Sequence, residues 1–257
     1  MRISIVTICY NNEQDIRATI ESVINQTYGD IEYIVKDGGS KDGTMAIVNE
    51  YKDKITKIIS CPDKGIYDGL NQGLQAATGD VVGMIHAGDR LYDNQVIEKI
   101  AQFYTKHDVD MTYANSILVN SDGKVVRVHK NPKFKPSLMK GGWMPPHESV
   151  YVKREVLEKY GYYALDLGGP ADYEWCIRYF VKNAENIKIS LIDEFVEIFA
   201  LGGTSSSGFA QNRNERKARY EECWRRNGIN PPIGVVYKKW LSKIMQFYHA
   251  WIYNMKH

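Results

Sequence analysis

The 257-residue chain has few cysteines, and the four it has, Cys9, Cys61, Cys176 and Cys223, are scattered. None forms a C-x-x-C pair and the chain is too large to need staples, which leaves reduced thiols as the expectation over a disulfide framework. Long apolar runs are missing too: no stretch reaches the roughly 20 residues that a spanning helix needs. The N-terminus opens directly into Ile3-Ser4-Ile5-Val6-Thr7-Ile8, without a charged leader, an apolar segment or a cleavage site. That predicts a cytoplasmic protein. Charge of one sign is also not in excess, since 33 basic and 31 acidic residues leave +2. A dedicated nucleic-acid binder would show a strong basic footprint, so that class is excluded. Gly38 to Thr44 has the glycine skeleton of a P-loop but lacks its lysine, and no G-x-G-x-x-G follows the first strand. Neither familiar phosphate cradle is available.

What is present is alternation. The β-branched run Ile3–Cys9 reads as a buried strand, followed by helical spacing at Ile16, Ile20, Val23 and Ile24 within residues 15–26. The same reading predicts strands at 31–35, 55–60 and Val81–His86, and helices at 44–51, 67–77 and 95–106. Repeated strand-helix-strand units predict a parallel sheet covered on both faces. Ligands of such sheets bind beyond the carboxyl ends of the strands, so Asp37, Asp63 and Asp89 are expected on one rim.

The second half is looser. Met111–Val119 and 124–128 read as a hairpin around Ser121-Asp122-Gly123, and residues 132–146 as a Pro/Gly-rich connection. A strand at 149–153, helices at Arg154–Tyr160 and 172–182, and a Gly/Ser loop at 201–208 follow. That loop is a candidate to close over a bound ligand and exclude water. From residue 212 the chain is helical and basic, broken at Pro231-Pro232. Its last segment sets Lys238, Lys239 and Lys243 beside Trp240, Leu241, Ile244, Phe247, Tyr248, Trp251 and Ile252. This pattern fits an interfacial helix on anionic lipid, or packing against the domain or a second subunit.

An ordered set of motifs carries more information than any one of them. It comprises Ser4-Ile5-Val6-Thr7-Ile8-Cys9-Tyr10-Asn11, Val35-Lys36-Asp37-Gly38-Gly39-Ser40-Lys41-Asp42-Gly43-Thr44 and Gly65-Ile66-Tyr67-Asp68-Gly69-Leu70-Asn71-Gln72-Gly73. Ala77-Thr78-Gly79-Asp80, His86-Ala87-Gly88-Asp89, Pro146-His147-Glu148-Ser149 and Ala171-Asp172-Tyr173 continue it. Together they resemble the family 2 glycosyltransferases of the GT-A fold, over residues 3 to about 208. With Cys61-Pro62-Asp63-Lys64-Gly65-Ile66-Tyr67 and Gly202-Gly203-Thr204-Ser205, the branch resembled is the one acting on bacterial surface polysaccharides.

The resemblance implies an α/β fold with a mostly parallel central sheet, flanking helices, an α+β acceptor half and a helical tail. The implied division is a GT-A domain at 1–208, with a nucleotide-sugar half at 1–106 and an acceptor half at 107–208, then a helical extension at 209–257. It implies an inverting enzyme that moves a sugar from a nucleotide-diphosphate donor, of UDP type, to a glycan or lipid-linked acceptor. On the matching positions, Thr7, Tyr10, Asn11, Asp37, Asp63, Lys64, Asn71 and Gly88 line the donor site: Asp37 accepts from the base, Asn71 shapes the pocket through a helix-to-loop hydrogen bond, and Lys64 is either a point charge on a phosphate or a solvated turn residue. Ser40 and Asp42 read as turn and cap residues. Gly88 stands where the family usually carries the first of two aspartates. Asp89, the second, and His147 are the implied ligands of Mn²⁺ or Mg²⁺, His147 having hydrogen bonding to the diphosphate as its alternative. Asp172 is the implied general base for the acceptor hydroxyl. Trp143 and Tyr173 are candidates either to stack on the acceptor sugar or to pack in the core. Two rival classes are a non-catalytic sugar-nucleotide or glycan binder and a nucleotidyltransferase, which the absent Gly-rich loop disfavours.

Overall fold

The computed structural model describes residues 1–201 and 213–256. Strands β1 (Ile3–Cys9), β2 (Ile31–Asp37), β3 (Lys57–Ser60) and β4 (Val81–His86) alternate with helices α1 (Ile16–Ile24), α2 (Thr44–Glu50) and α3 (Ile66–Gln75). Then come β5 (Arg90–Leu91), α4 (Val96–Lys106), β6 (Met111–Val119), β7 (Val125–His129), α5 (Ser137–Lys140) and β8 (Val150–Lys153). The remainder is α6 (Arg154–Tyr160), α7 (Ala171–Ile177), β9 (Ile189–Ala200), α8 (Arg213–Arg226) and α9 (Val235–Lys256). The expected loop at 201–208 lies outside the described residues apart from Leu201.

All nine strands among the described residues belong to one sheet, ordered β3-β2-β1-β4-β8-β6-β9-β5, with β7 also on β6. Strand β1 pairs in parallel with β2 and β4, and β2 with β3. The expected parallel character holds for this half. Beyond β4 the sheet is mixed: β8 is antiparallel to β4 and β6, β9 is parallel to β6, and β5 is antiparallel to β9. Strand β5 starts just past the end of β4 yet pairs at the far end of the order. The sheet therefore curls, and β9 returns over the carboxyl end of β4. Strand β9 was not foreseen, because Asp193 and Glu194 are exposed at an irregularity in its pairing and break the apolar alternation.

Apolar side chains gather on both faces, as a covered sheet requires. One cluster holds Val6, Leu70, Leu74, Met84, Trp175, Phe180 and Trp224; the other holds Ile3, Ile5, Ile16, Ile20, Val35, Ile97 and Ile100. Helix α8 enters the first cluster through Cys223 and Trp224, and Trp224 Nε1 donates to Tyr173 Oη at 2.9 Å. Helix α9 lies along β7, where Ala250 is buried and Asn254 Nδ2 donates to the Val125 carbonyl at 2.7 Å. No described helix is long and apolar enough to cross a membrane.

Candidate active site

The carboxyl ends of β1 and β2 are laced into one rim. Asp37, fully buried at the end of β2, accepts from the Gly39 and Ser40 amides and from the Ser60 hydroxyl at 2.8–3.2 Å. In this geometry its carboxylate organises its own loop. Asn11 adopts φ 50°, its amide donating to Ser40 Oγ at 2.8 Å while its Oδ1 accepts from the Lys41 amide. The ring of Tyr10 is exposed above Gly38. Tyr10 and Asn11 thus sit on this rim. Thr7 does not: it is fully buried and its hydroxyl meets Tyr33 Oη at 3.0 Å, which withdraws its side chain from the rim.

Asp63 takes its place on the rim through a lysine that pattern reading did not single out. Lys36 is fully buried, and its Nζ donates to the Asp37 and Cys61 carbonyls and to Asp63 Oδ2 at 3.2 Å. Asp63 Oδ1 accepts from the Gly65 amide, fixing the entry to α3. The adjacent Lys64 is exposed. Asn71 makes a helix-to-loop contact through both ends of its amide, donating to the Tyr163 carbonyl and accepting from the Tyr163 amide. Tyr173 is fully buried on Trp224 and Tyr220, and Trp143 packs edge-on against Tyr113 and Phe180, so core packing accounts for both.

The chemistry concentrates at the end of β4. Gly88 turns there with φ 105°, a conformation that disfavours a carboxylate-bearing residue at this position. The turn leads to Asp89, whose Oδ1 accepts from the Ala200 amide at the end of β9. The antiparallel register that sets Val82 opposite Val152 brings His86 opposite Glu148 when carried along the strands. His86 Nε2 lies 3.4 Å from Glu148 Oε1 and 3.4 Å from His147 Nε2. His147 Nδ1 lies 3.2 Å from Glu148 Oε2 and 4.0 Å from Asp172 Oδ2. Asp172 opens α7 and is a quarter exposed, at the edge of this cluster. Asp89, whose amide donates to the His86 carbonyl at 3.0 Å, and Asp172, beside His147, thus approach one pair of imidazoles although 83 positions apart in sequence.

Electrostatics mark the same spot. Burial, then the charge of Glu148, pushes the Asp89 carboxyl up to about 7. Burial works against ionised Glu148, but His147 and His86 outweigh it and hold that carboxyl well below its ordinary range. Burial alone would lower His86; its hydrogen bond and charge contact with Glu148 raise it. Glu197 of β9 is buried with both carboxylate oxygens unpartnered, and burial with the charges of Glu148 and Asp89 drives its carboxyl far upward. His86 Nδ1 is likewise buried and unpartnered.

Two imidazoles and a carboxylate whose ligand atoms lie within 4.8 Å of one another form a donor set suited to a divalent cation. Beside that set, Glu197 and His86 Nδ1 contribute buried polar atoms without a hydrogen-bond partner. His86, Glu148 and Glu197 escaped pattern reading. Only strand register brings them together.

A mixed sheet of this topology is that of the GT-A fold. The chain belongs to glycosyl transferase family 2, whose family model matches residues 4–161. A PGL/p-HBAD biosynthesis glycosyltransferase of Mycobacterium bovis is 27% identical over 187 residues, covering 70% of each chain. Among solved structures, S. aureus TarS in complex with UDP-GlcNAc superposes with a TM-score of 0.68 at 18% identity, covering 97% of this chain and 79% of that one. A mannosyltransferase from Pyrobaculum calidifontis, in complex with GDP-Man and Mn²⁺, gives 0.64 at 16% identity, covering 97% and 72%.

Proposed function

We propose that the chain transfers a sugar, with inversion, from a UDP-sugar to a hydroxyl of a glycan or lipid-linked acceptor in cell-surface polysaccharide synthesis. The observation that carries this reading is the placement of Asp172 4.0 Å from His147, beside the cluster at the end of β4. The base is assigned to the rim of Tyr10, Asn11 and the Asp37 loop, and the diphosphate to the end of β4. The UDP-GlcNAc and GDP-Man held by the two structural neighbours support a nucleotide-sugar donor, and the Mn²⁺ of one supports a divalent cation. Asp89 and His147 are the residues assigned to that cation, Mn²⁺ or Mg²⁺. When bound, its chemistry is neutralisation of the departing diphosphate's charge.

Asp172 accepts the proton of the acceptor hydroxyl as that oxygen attacks the anomeric carbon. A positioned carboxylate contributes about 10²–10⁴ in rate. One displacement inverts the configuration, and the motif set supplies no second carboxylate nucleophile. The work is assigned to the cytoplasmic face of the membrane, with α9 as a peripheral contact. Asp172→Asn is expected to lower transfer by about 10²–10⁴ while UDP-sugar binding, measured by calorimetry, is kept. Undiminished transfer by the folded variant would remove Asp172 from the mechanism.

A further inference from the structure

Asp172 is the second residue of the short helix α7, so its aim depends on how that helix starts. Its Oδ1 accepts from the Tyr173 amide at 2.7 Å, and Oδ2 is the oxygen 4.0 Å from His147 Nδ1. With one oxygen held by its own helix, the carboxylate moves only as the first turn of α7 moves. That turn is Gly168-Gly169-Pro170-Ala171, in which the Ala171 amide donates to the Gly168 carbonyl at 3.0 Å. Gly168 has φ 61°, and two adjacent glycines lend the segment little stiffness of their own. Its order requires an anchor from outside.

The anchor comes from α3. Tyr67, in the first turn of that helix, donates from Oη to the Gly169 carbonyl at 3.0 Å, across 102 positions of sequence. Burial, then the charge of Asp172, push this hydroxyl's pKa upward, which keeps it protonated as a donor. The Tyr67 ring is itself seated, with its centroid 5.4 Å from that of Tyr163. Tyr163 in turn is bonded through its backbone to Asn71 of the same helix. Helix α3 thus grips the second half of the chain at two points about one turn apart. Its entry is fixed on the rim, where Asp63 receives Lys36 and accepts from the Gly65 amide. One helix therefore joins the rim assigned to the donor with the turn that aims Asp172.

We propose that Tyr67 is a positioning residue, whose hydroxyl holds Asp172 in place at the reaction centre without touching substrate. The proposal rests on the assignment of Asp172 as the base and extends it. Displacing a reacting group by about 1 Å costs up to about 10² in rate, so a single anchoring hydrogen bond bears on turnover.

The test compares the wild type, Tyr67→Phe, Asp172→Asn and the double variant. The probes are UDP-glucose, UDP-galactose and UDP-GlcNAc with Mn²⁺, water serves as acceptor, and UDP release is read. Tyr67→Phe keeps the ring on Tyr163, and circular dichroism checks its folding. Its kcat is expected to fall about tenfold or more, with UDP affinity by calorimetry within about twofold of the wild type. In the Asp172→Asn background the same substitution is expected to cost less than about twofold, because residues acting through one group are not additive. Unchanged kcat, an equal cost in both backgrounds, or a parallel loss of UDP affinity overturns the proposal. Amide exchange by mass spectrometry needs no turnover: residues 168–173 of Tyr67→Phe are expected to exchange about threefold faster or more, and unchanged exchange overturns the proposal as well. Undiminished UDP release by Asp172→Asn alone counts against the base, whereas the exchange data decide in either event whether Tyr67 anchors the turn.

Discussion

At the scale of single residues, buried charge explains much of the rim. Lys36 carries its ammonium inside the protein, where two carbonyls and Asp63 receive its protons. Breaking such a pair typically costs about 3–5 kcal/mol. Glu32 does comparable work at the opposite end of the sheet, accepting from the Ser4 hydroxyl and from the amides of Thr78 and Gly79. Burial raises its pKa, but those hydrogen bonds outweigh burial and the net shift is downward from 4.5. A carboxyl depressed in the folded state stabilises the protein above its unfolded pKa and loses that contribution as pH falls. Stability is therefore expected to drop as pH falls below about 4.5, and Glu32→Gln should flatten that decline. Urea unfolding midpoints at pH 7, 5 and 4 measure it. An equally steep decline in the variant would show that other groups govern acid lability.

Helix α3 shows what a single element contributes. Its sequence announces it through Gly65, the buried positions Leu70 and Leu74 and a polar outer face. Its seat on β1 depends on Gly73, where an added Cβ would lie 2.4 Å from Val6 Cγ1. Gly73→Ala must push helix and strand apart, and overpacking of this kind costs about 1–3 kcal/mol. The expected result is a melting temperature lower by roughly 2–10 °C, read by circular dichroism. An unshifted melt would mean that the contact relaxes freely. The same helix marks the limit of local reading. That Asn71 bonds across an element boundary was legible, but its partner Tyr163, 92 residues on, was not. The mutual approach of Asp172 and His147 was hidden for the same reason, since each lies at the end of a different element.

For the molecule as a whole, the open question is what α9 faces. Its inner side holds Ala250 and Tyr253, the latter meeting Tyr92 Oη at 2.8 Å. Its outer side exposes Ile244, Tyr248, Trp251 and Met255 at spacings of four, three and four. From 235 to 257 the sequence has four lysines and no acidic residue, which matches an anionic surface better than a second copy of the same basic helix. The protein is expected to sediment with vesicles containing anionic lipid, less so at high salt. Tyr248→Ser with Trp251→Ser should lower the bound fraction severalfold and leave UDP binding unchanged. Salt-independent or unaltered sedimentation would argue against a membrane role for this face.

Periodicity and ordered motifs determined the parallel half of the fold, the family and the rim itself, because strand alternation and turn residues are local properties of the chain. Tertiary structure alone decided that Thr7 turns inward, that Lys36 is the buried clamp, and that His86 and Glu148 meet His147 at the end of β4. Those outcomes depend on strand register and on the curl that carries β9 back over β4. Both are set by pairing between residues tens of positions apart, which no local window of sequence contains.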